Sequence, residues 1–379
     1  MSTAVMESAT NAATRLGIVD CDVHPHLRKG LDDLMPYLSV SSQRRIGVGH
    51  AASWASQVYA SQFSLPKNVM YVNTVGVMRR DSLPADGSVP ASDPAFVAEQ
   101  HLDAYGIDRA VLIGGNVLGL GALPDADLAS AVASAYNDWL TERWLEVDDR
   151  YRGALVVASQ DPLAAATEIR RVGSRPGMVQ VMLPLTNILM GDRHYFPIYE
   201  AARELGLPIG VHPNSVDGIF AKGPPLAGGV FSYYIEWHTA LTQVFHSSVI
   251  SLVCQGVFEQ FPGMKVVIAE GGFVWLVDLM WRLDKNWQAL RDEVPWLTCP
   301  PSEEIVEHIR FTTQPFAEPS PEHLRSVAEI IRADRTLLFS SDYPHWDFDN
   351  PQRSLAGLPE ETQRRILAES AVELYGERL

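Results

Sequence analysis

From Pro94 onward, hydrophobic residues fall into short unbroken runs separated by longer stretches with helical spacing. The runs are Arg109–Ile113, Gly153–Ala158, Met178–Met182, Pro208–Val211, Lys265–Ala269, His308–Thr312 and Thr336–Ser340. Runs of this length, apolar for the most part, suit strands buried on both faces of a parallel sheet. Between and after them, Ala95–Tyr105, Asp125–Val147, Leu163–Val172, Tyr195–Leu205, Thr239–Phe261, Phe273–Leu290, Pro321–Arg332 and Pro359–Ser370 read as helices. Near the N terminus, Gly17-Ile18-Val19 is one more apolar strand, leading into Asp20-Cys21-Asp22-Val23-His24-Pro25-His26. Eight strands alternating with helices predict an α/β fold of the (β/α)8 TIM-barrel kind.

The stretch Leu27 to Asp93 breaks this rhythm. It carries Pro36, Pro66, Pro84 and Pro90 among several aromatic residues, with helical pieces expected between Ser42 and Gln62. We read 27–93 as a long insertion after the first strand, serving as a lid or a subunit contact. Residues 1–16, rich in Ala, Ser and Thr, read as a flexible arm and not as a signal peptide. The remainder, 17–379, reads as a single barrel domain.

Composition narrows the function. The 379 residues are 46% hydrophobic and 20% charged, which is ordinary for a globular protein. A net charge of −16 opposes nucleic acid and anionic membrane as partners. No apolar run approaches the ~20 residues that span a bilayer. Cys21, Cys254 and Cys299 lack CxxC spacing, which suggests reduced thiols and a cytoplasmic location.

Chemistry in a TIM barrel sits where the strands end. The first strand runs into Asp22 and His24, two residues apart and on one face. The fifth ends in Val211-His212-Pro213, the sixth in Ala269-Glu270-Gly271-Gly272, and the eighth in Ser341-Asp342-Tyr343-Pro344-His345. Taken singly, His212 fits a core histidine, Glu270 a helix cap and Asp342 a turn residue. Together they place metal-ligand types and an extra carboxylate on one rim.

In order, Asp22-x-His24, His212-Pro213, the run Gly256-Val257-Phe258-Glu259-Gln260-Phe261-Pro262 to Glu270-Gly271-Gly272, and Ser341-Asp342-Tyr343-Pro344-His345 resemble the amidohydrolase-related family. That branch of the amidohydrolase superfamily includes aminocarboxymuconate semialdehyde decarboxylase and resorcylate decarboxylases. The resemblance implies a distorted (β/α)8 barrel with a divalent metal (Zn, Mn or Fe) held by Asp22, His24, His212 and Asp342. In the decarboxylases the sixth strand ends in histidine; here Glu270 stands there. Asp22, where several relatives have histidine, hardens the site and moves preference from zinc towards manganese or iron.

The expected activity is that of a metal-dependent hydrolase or carboxy-lyase acting on a small organic carboxylate or carbonyl compound, with Glu270 or Asp342 moving the proton. One metal per chain is expected. His26, His238, His246, Glu270 and His345 are candidates for a second, which keeps open a non-haem dinuclear monooxygenase of the same family, such as 2-aminoisobutyrate hydroxylase. A non-catalytic partner subunit is a third reading. His238 and His246, eight residues apart, are expected on one helix face. Phe220, Phe231, Tyr233 and Trp237, in the loop after His212, are candidate substrate-binding residues. The chain is expected to form a homo- or hetero-oligomer.

Overall fold

The runs are mostly apolar and alternate too little to give a wet face, so they are stable where a neighbouring strand takes up their backbone and helices cover both faces. The computed structural model, which describes residues 17–46, 77–186, 188–213 and 232–379, shows this arrangement. Among the described residues the strands are β1 (Val19–Val23), β2 (Arg109–Leu112), β3 (Tyr151–Val156), β4 (Met178–Met182), β5 (Ile209–Val211), β6 (Val266–Ile268), β7 (Ile309–Thr312) and β8 (Leu337–Leu338). They pair in parallel in the order β1 to β8. The Cys21 N–H donates to Phe339 O at 2.9 Å, which brings the first strand to the last and nearly closes a (β/α)8 barrel.

The helices between the strands start where the sequence provides caps. Asp125 accepts from Leu128 N ahead of Ala126–Leu140. Asp161 accepts from Leu163 and Ala164 N, with Pro162 at the first helical position of Pro162–Val172. Ser320 and Pro321 do the same for Pro321–Ile330. Their apolar faces pack on the barrel: Ala165, Ala166, Ile169 and Val172 are all buried on one such helix.

Three expectations change. The first strand begins at Val19 and runs through Val23, so Asp20 and Asp22 belong to the strand and not to the turn after it. The helix expected over 239–261 is instead Tyr234–Ala240, a 3-10 turn Leu241–Gln243, Val244–Cys254 and Val257–Gln260. Gly256, at φ +68°, breaks it near its end. His238 and His246 therefore lie on separate helices. The last strand shrinks to two residues, because Ser340 and Ser341 leave the ladder to make side-chain bonds.

The described parts of the insertion fold onto the barrel. Leu31 and Leu34 are buried in the 3-10 segment Gly30–Tyr37, followed by the helix Val40–Ile46. Met78 forms a bridge with His345, and the Arg79 N–H donates to Pro344 O at 2.9 Å. The end of the insertion thus meets the loop after β8. No helix among the described residues is long and apolar enough to cross a membrane.

Candidate metal centre

Four strand ends bring ionisable groups to one rim. Asp22 lies on β1 and His24 follows it. His212 follows β5, Glu270 follows β6 and Asp342 follows β8. All five are buried, Asp22 and His24 at 0% exposure. Glu270 and Asp342 both take left-handed backbone, at φ +50° and +62°. That conformation is costly for residues with a side chain and persists where the surroundings hold it. The Glu270 N–H is held by Thr312 Oγ1 at 2.9 Å, and Asp342 N–H by Asp22 O at 3.2 Å.

The donor atoms of Asp22, His24, His212 and Asp342 all lie within 4.8 Å of one another. His24 Nε2 is 3.3 Å from Asp22 Oδ1 and 3.0 Å from Asp342 Oδ1. His212 Nε2 is 3.4 Å from Asp22 Oδ2 and 2.9 Å from Glu270 Oε2. The other nitrogen of each ring faces a carbonyl: His24 Nδ1 meets Ile113 O at 2.9 Å, and His212 Nδ1 meets Pro213 O at 2.6 Å. A carbonyl only accepts, so each Nδ1 carries a proton and a neutral ring turns its Nε2 lone pair towards the carboxylates.

Lone pairs facing carboxylates are repulsive unless a cation lies between them. Without one, protons must take its place, and the electrostatics show this. Burial works to lower the His212 pKa, but Asp22 and Glu270 drive it well above the ordinary value. Asp342 is pushed well above the carboxylate range, by burial first and then by Glu270. Burial works to raise Asp22, and the His24 and His212 rings override it. Both oxygens of Asp22 and Nε2 of His212 are buried with no hydrogen bond of good geometry among the described residues, despite their close approach. Orphaned buried atoms of Asp22 and His212, from two strand ends, beside His24 and Asp342 from the rim, give oxygen and imidazole donors that fit a divalent ion.

A second group shares atoms with the first: His24, Glu270, Asp342 and His345 also offer ligand atoms within 4.8 Å of one another. His345 Nδ1 is 2.6 Å from Asp342 Oδ1. The other second-metal candidates lie in neither group. His26 Nδ1 is bonded to Pro90 O at 2.9 Å, and burial drives its pKa down to about 3. His238 Nε2 pairs with Asp347 Oδ2 at 3.1 Å. His246 stacks on Trp275 with ring centroids 4.4 Å apart. Of the substrate-binding candidates, Phe220 and Phe231 lie outside the described residues. Tyr233 is 70% exposed, and Trp237 lies beside His238 with centroids 6.2 Å apart.

Several groups at this rim were not among the sequence candidates. Asp347 accepts from Gln314 Nε2 at 2.7 Å as well as pairing with His238. Trp346 Nε1 donates to Tyr234 Oη at 3.0 Å, placing an aromatic wall beside that pair. Asp347 stands two residues past His345, so continuing the strand-end reading by two positions would have found it. Gln314 stands two residues past the end of β7, and nothing in the sequence pairs it with Asp347.

Fold and donors together define a TIM-barrel enzyme with a metal site at the C-terminal ends of its strands. The amidohydrolase family model matches residues 19–376, and the chain belongs to that family. Among its relatives, a gamma-resorcylate decarboxylase of Rhodococcus jostii (strain RHA1) is 24% identical over 270 residues, covering 66% of this chain and 76% of that one. An amidohydrolase structure from Mycobacterium avium subsp. paratuberculosis K-10 superposes with a TM-score of 0.67 at 21% identity, covering 96% of this chain and 98% of that one. A dihydroxybenzoic acid decarboxylase of Polaromonas sp. JS666, solved with manganese and 2-nitroresorcinol, gives 0.62 at 19% identity, covering 96% and 99%.

Proposed function

We propose that this chain is a metal-dependent carboxy-lyase acting on a small aromatic carboxylate. The observation that carries the proposal is the convergence of Asp22, His24, His212 and Asp342 with orphaned donor atoms turned inward. Those four residues would hold the ion. Mn²⁺ or Fe²⁺ suits the oxygen-rich set, and such an ion polarises a substrate oxygen when bound. The relatives that act on hydroxylated benzoates supply the substrate class.

The chain's own residues then have defined work. Decarboxylation breaks the bond between the ring carbon and the carboxyl carbon, and leaves the electron pair on the ring. A proton must replace the lost CO₂. Glu270, whose Oε2 lies 2.9 Å from His212 Nε2, is the group assigned to carry it. Tyr234 and Trp346, joined at 3.0 Å beside the rim, are the aromatic side chains this reading gives to the substrate ring.

A second reading, a dinuclear monooxygenase, is favoured by one observation: Glu270 and His345 complete a second donor group that shares His24 and Asp342 with the first. In that reading Glu270 binds metal and does not carry the proton. Elemental analysis of protein purified without chelator, paired with CO₂ release from hydroxylated benzoates under anaerobic conditions, separates the two. One metal per chain and anaerobic CO₂ release support the lyase. Two metals, with oxygen consumption and no anaerobic turnover, support the oxygenase. Absence of any tightly bound divalent ion removes both.

A further inference from the structure

One buried polar cluster takes no part in the chemistry above. Asp20, His101 and Ser341 all have 0% exposure, and they come from β1, from the helical segment Ala98–Asp103 and from the loop after β8. One carboxylate holds the cluster together. Asp20 Oδ1 accepts the N–H of Asp22 at 3.3 Å and of Ser341 at 2.9 Å. Its Oδ2 accepts the Ser341 hydroxyl at 2.5 Å and His101 Nε2 at 2.8 Å. Ser341 Oγ in turn accepts the Tyr343 N–H at 3.1 Å. The His101 ring stacks on Tyr343, centroids 4.4 Å apart and 13° from parallel.

These bonds have a common feature: they end on the backbone of, or beside, the carboxylate donors. Asp22 is held through its own N–H. Asp342 is held from both sides, through Ser341 and Tyr343, and it is one of the residues in left-handed backbone. A conformation of that kind is strained and persists only when its neighbours over-determine it. His101 Nδ1 has no partner among the described residues, so a proton on Nε2, donated to Asp20, is the arrangement that leaves no buried N–H orphaned.

We propose that Asp20, oriented by His101 and Ser341, is a positioning residue that sets the Asp22 and Asp342 carboxylates at the spacing a divalent cation requires. The inference rests on the metal-centre reading above and adds an outer layer to it. Groups that orient metal ligands typically change affinity 10–100-fold when removed. A carboxylate whose role is to hold the barrel together would change stability and leave the ion's surroundings as they were.

The test is titration of the metal-depleted full chain with Co²⁺, read by its visible absorption, beside thermal melting of the metal-free forms. Asp20→Asn keeps the shape but loses two acceptor positions; it is expected to weaken Co²⁺ binding about 10–100-fold and to shift the bands. Ser341→Ala removes the hydroxyl, with its bonds to Asp20 Oδ2 and from the Tyr343 N–H, leaves the backbone bond to Asp20 Oδ1, and is expected to cost about tenfold. Ile169→Val, in the core away from the rim, serves as a control for lost stability and keeps the wild-type affinity and spectrum. Wild-type affinity and bands in both rim variants overturn the inference, as does an equal loss in the control. If Asp20→Asn does not fold, Ser341→Ala alone decides. A wild-type chain that takes up no Co²⁺ overturns the metal centre itself, and this inference with it. Intact wild-type binding with unaffected variants removes only the positioning role.

Discussion

Glu270 touches both donor groups: it lies against His212 of the first and belongs with His345 and Asp342 in the second. Glu270→Gln keeps its size and removes its charge. For a proton carrier, turnover should fall by about 10²–10⁴ with metal content unchanged; for a ligand of a second metal, metal content should fall as well. Asp349 gives a residue-scale expectation on stability. Burial, then the neighbouring Asp347 charge, pushes its carboxyl up to about 8. A carboxyl raised in the folded state contributes stability that is complete below its unfolded value near 4 and is lost as pH rises through 8. Asp349→Asn should therefore be more stable than the wild type at pH 8, by at least about 1 kcal/mol, and the gain should vanish near pH 4. Denaturant melts at the two pH values check this; an equal difference at both would mean that Asp349 is not displaced. What the sequence exposed at this scale were residues that sit directly on strand ends. Asp20 lay in the opening motif without an assigned partner, because its partner His101 is 81 positions away on a helix. No local pattern couples the two.

Strands and helices were legible where one physical cause dominates. β4 spans Met178–Met182, the same limits as its run in the sequence, because all five of its residues are buried between neighbouring strands and helices. The stretch 239–261 misled because its apolar residues continue across a break set by backbone conformation. Gly256 is left-handed there, and a Cβ at that position would come within 2.6 Å of the Trp296 ring. Trp296 in turn donates its indole N–H to Cys254 O at 3.0 Å. Gly256→Ala should thus be destabilising by about 1–3 kcal/mol, since backbone strain and the displaced ring act together. Urea unfolding measures this. A cost below about 0.5 kcal/mol would show that the break tolerates a side chain.

At the scale of the whole molecule, the donors come from β1, β5, β6 and β8, so an ion at the centre would tie the barrel across its diameter. Binding to the folded state alone stabilises it by about 2.7 kcal/mol at a free concentration one hundred times Kd. Stripping the protein with a chelator should therefore lower Tm, and Mn²⁺ should restore it; an unchanged Tm after verified metal loss would argue against a site formed by folding. The overall architecture was legible because eight buried strands separated by helices admit few closed arrangements. The closure itself was not, because β8 is two residues long and its joint with β1 is made beyond the strand, by the Cys21–Phe339, His24–Tyr343 and Asp342–Asp22 backbone bonds and by the Asp20 side chain.

That short joint has a kinetic meaning. A sheet opens first where its ladder is least regular, and the β8–β1 seam, closed by the Cys21, His24 and Asp342 amides outside the paired strand order, is the natural place for the barrel to breathe. Its two lips carry Asp342 on one side and Asp22 with His24 on the other. An ion bound between them acts as a staple across the slit. Amide deuterium exchange at Cys21, His24 and Asp342 should be faster in the metal-free chain than elsewhere in the barrel, and should slow selectively when Mn²⁺ is added. Uniform slowing across all eight strands would instead place the weak joint elsewhere.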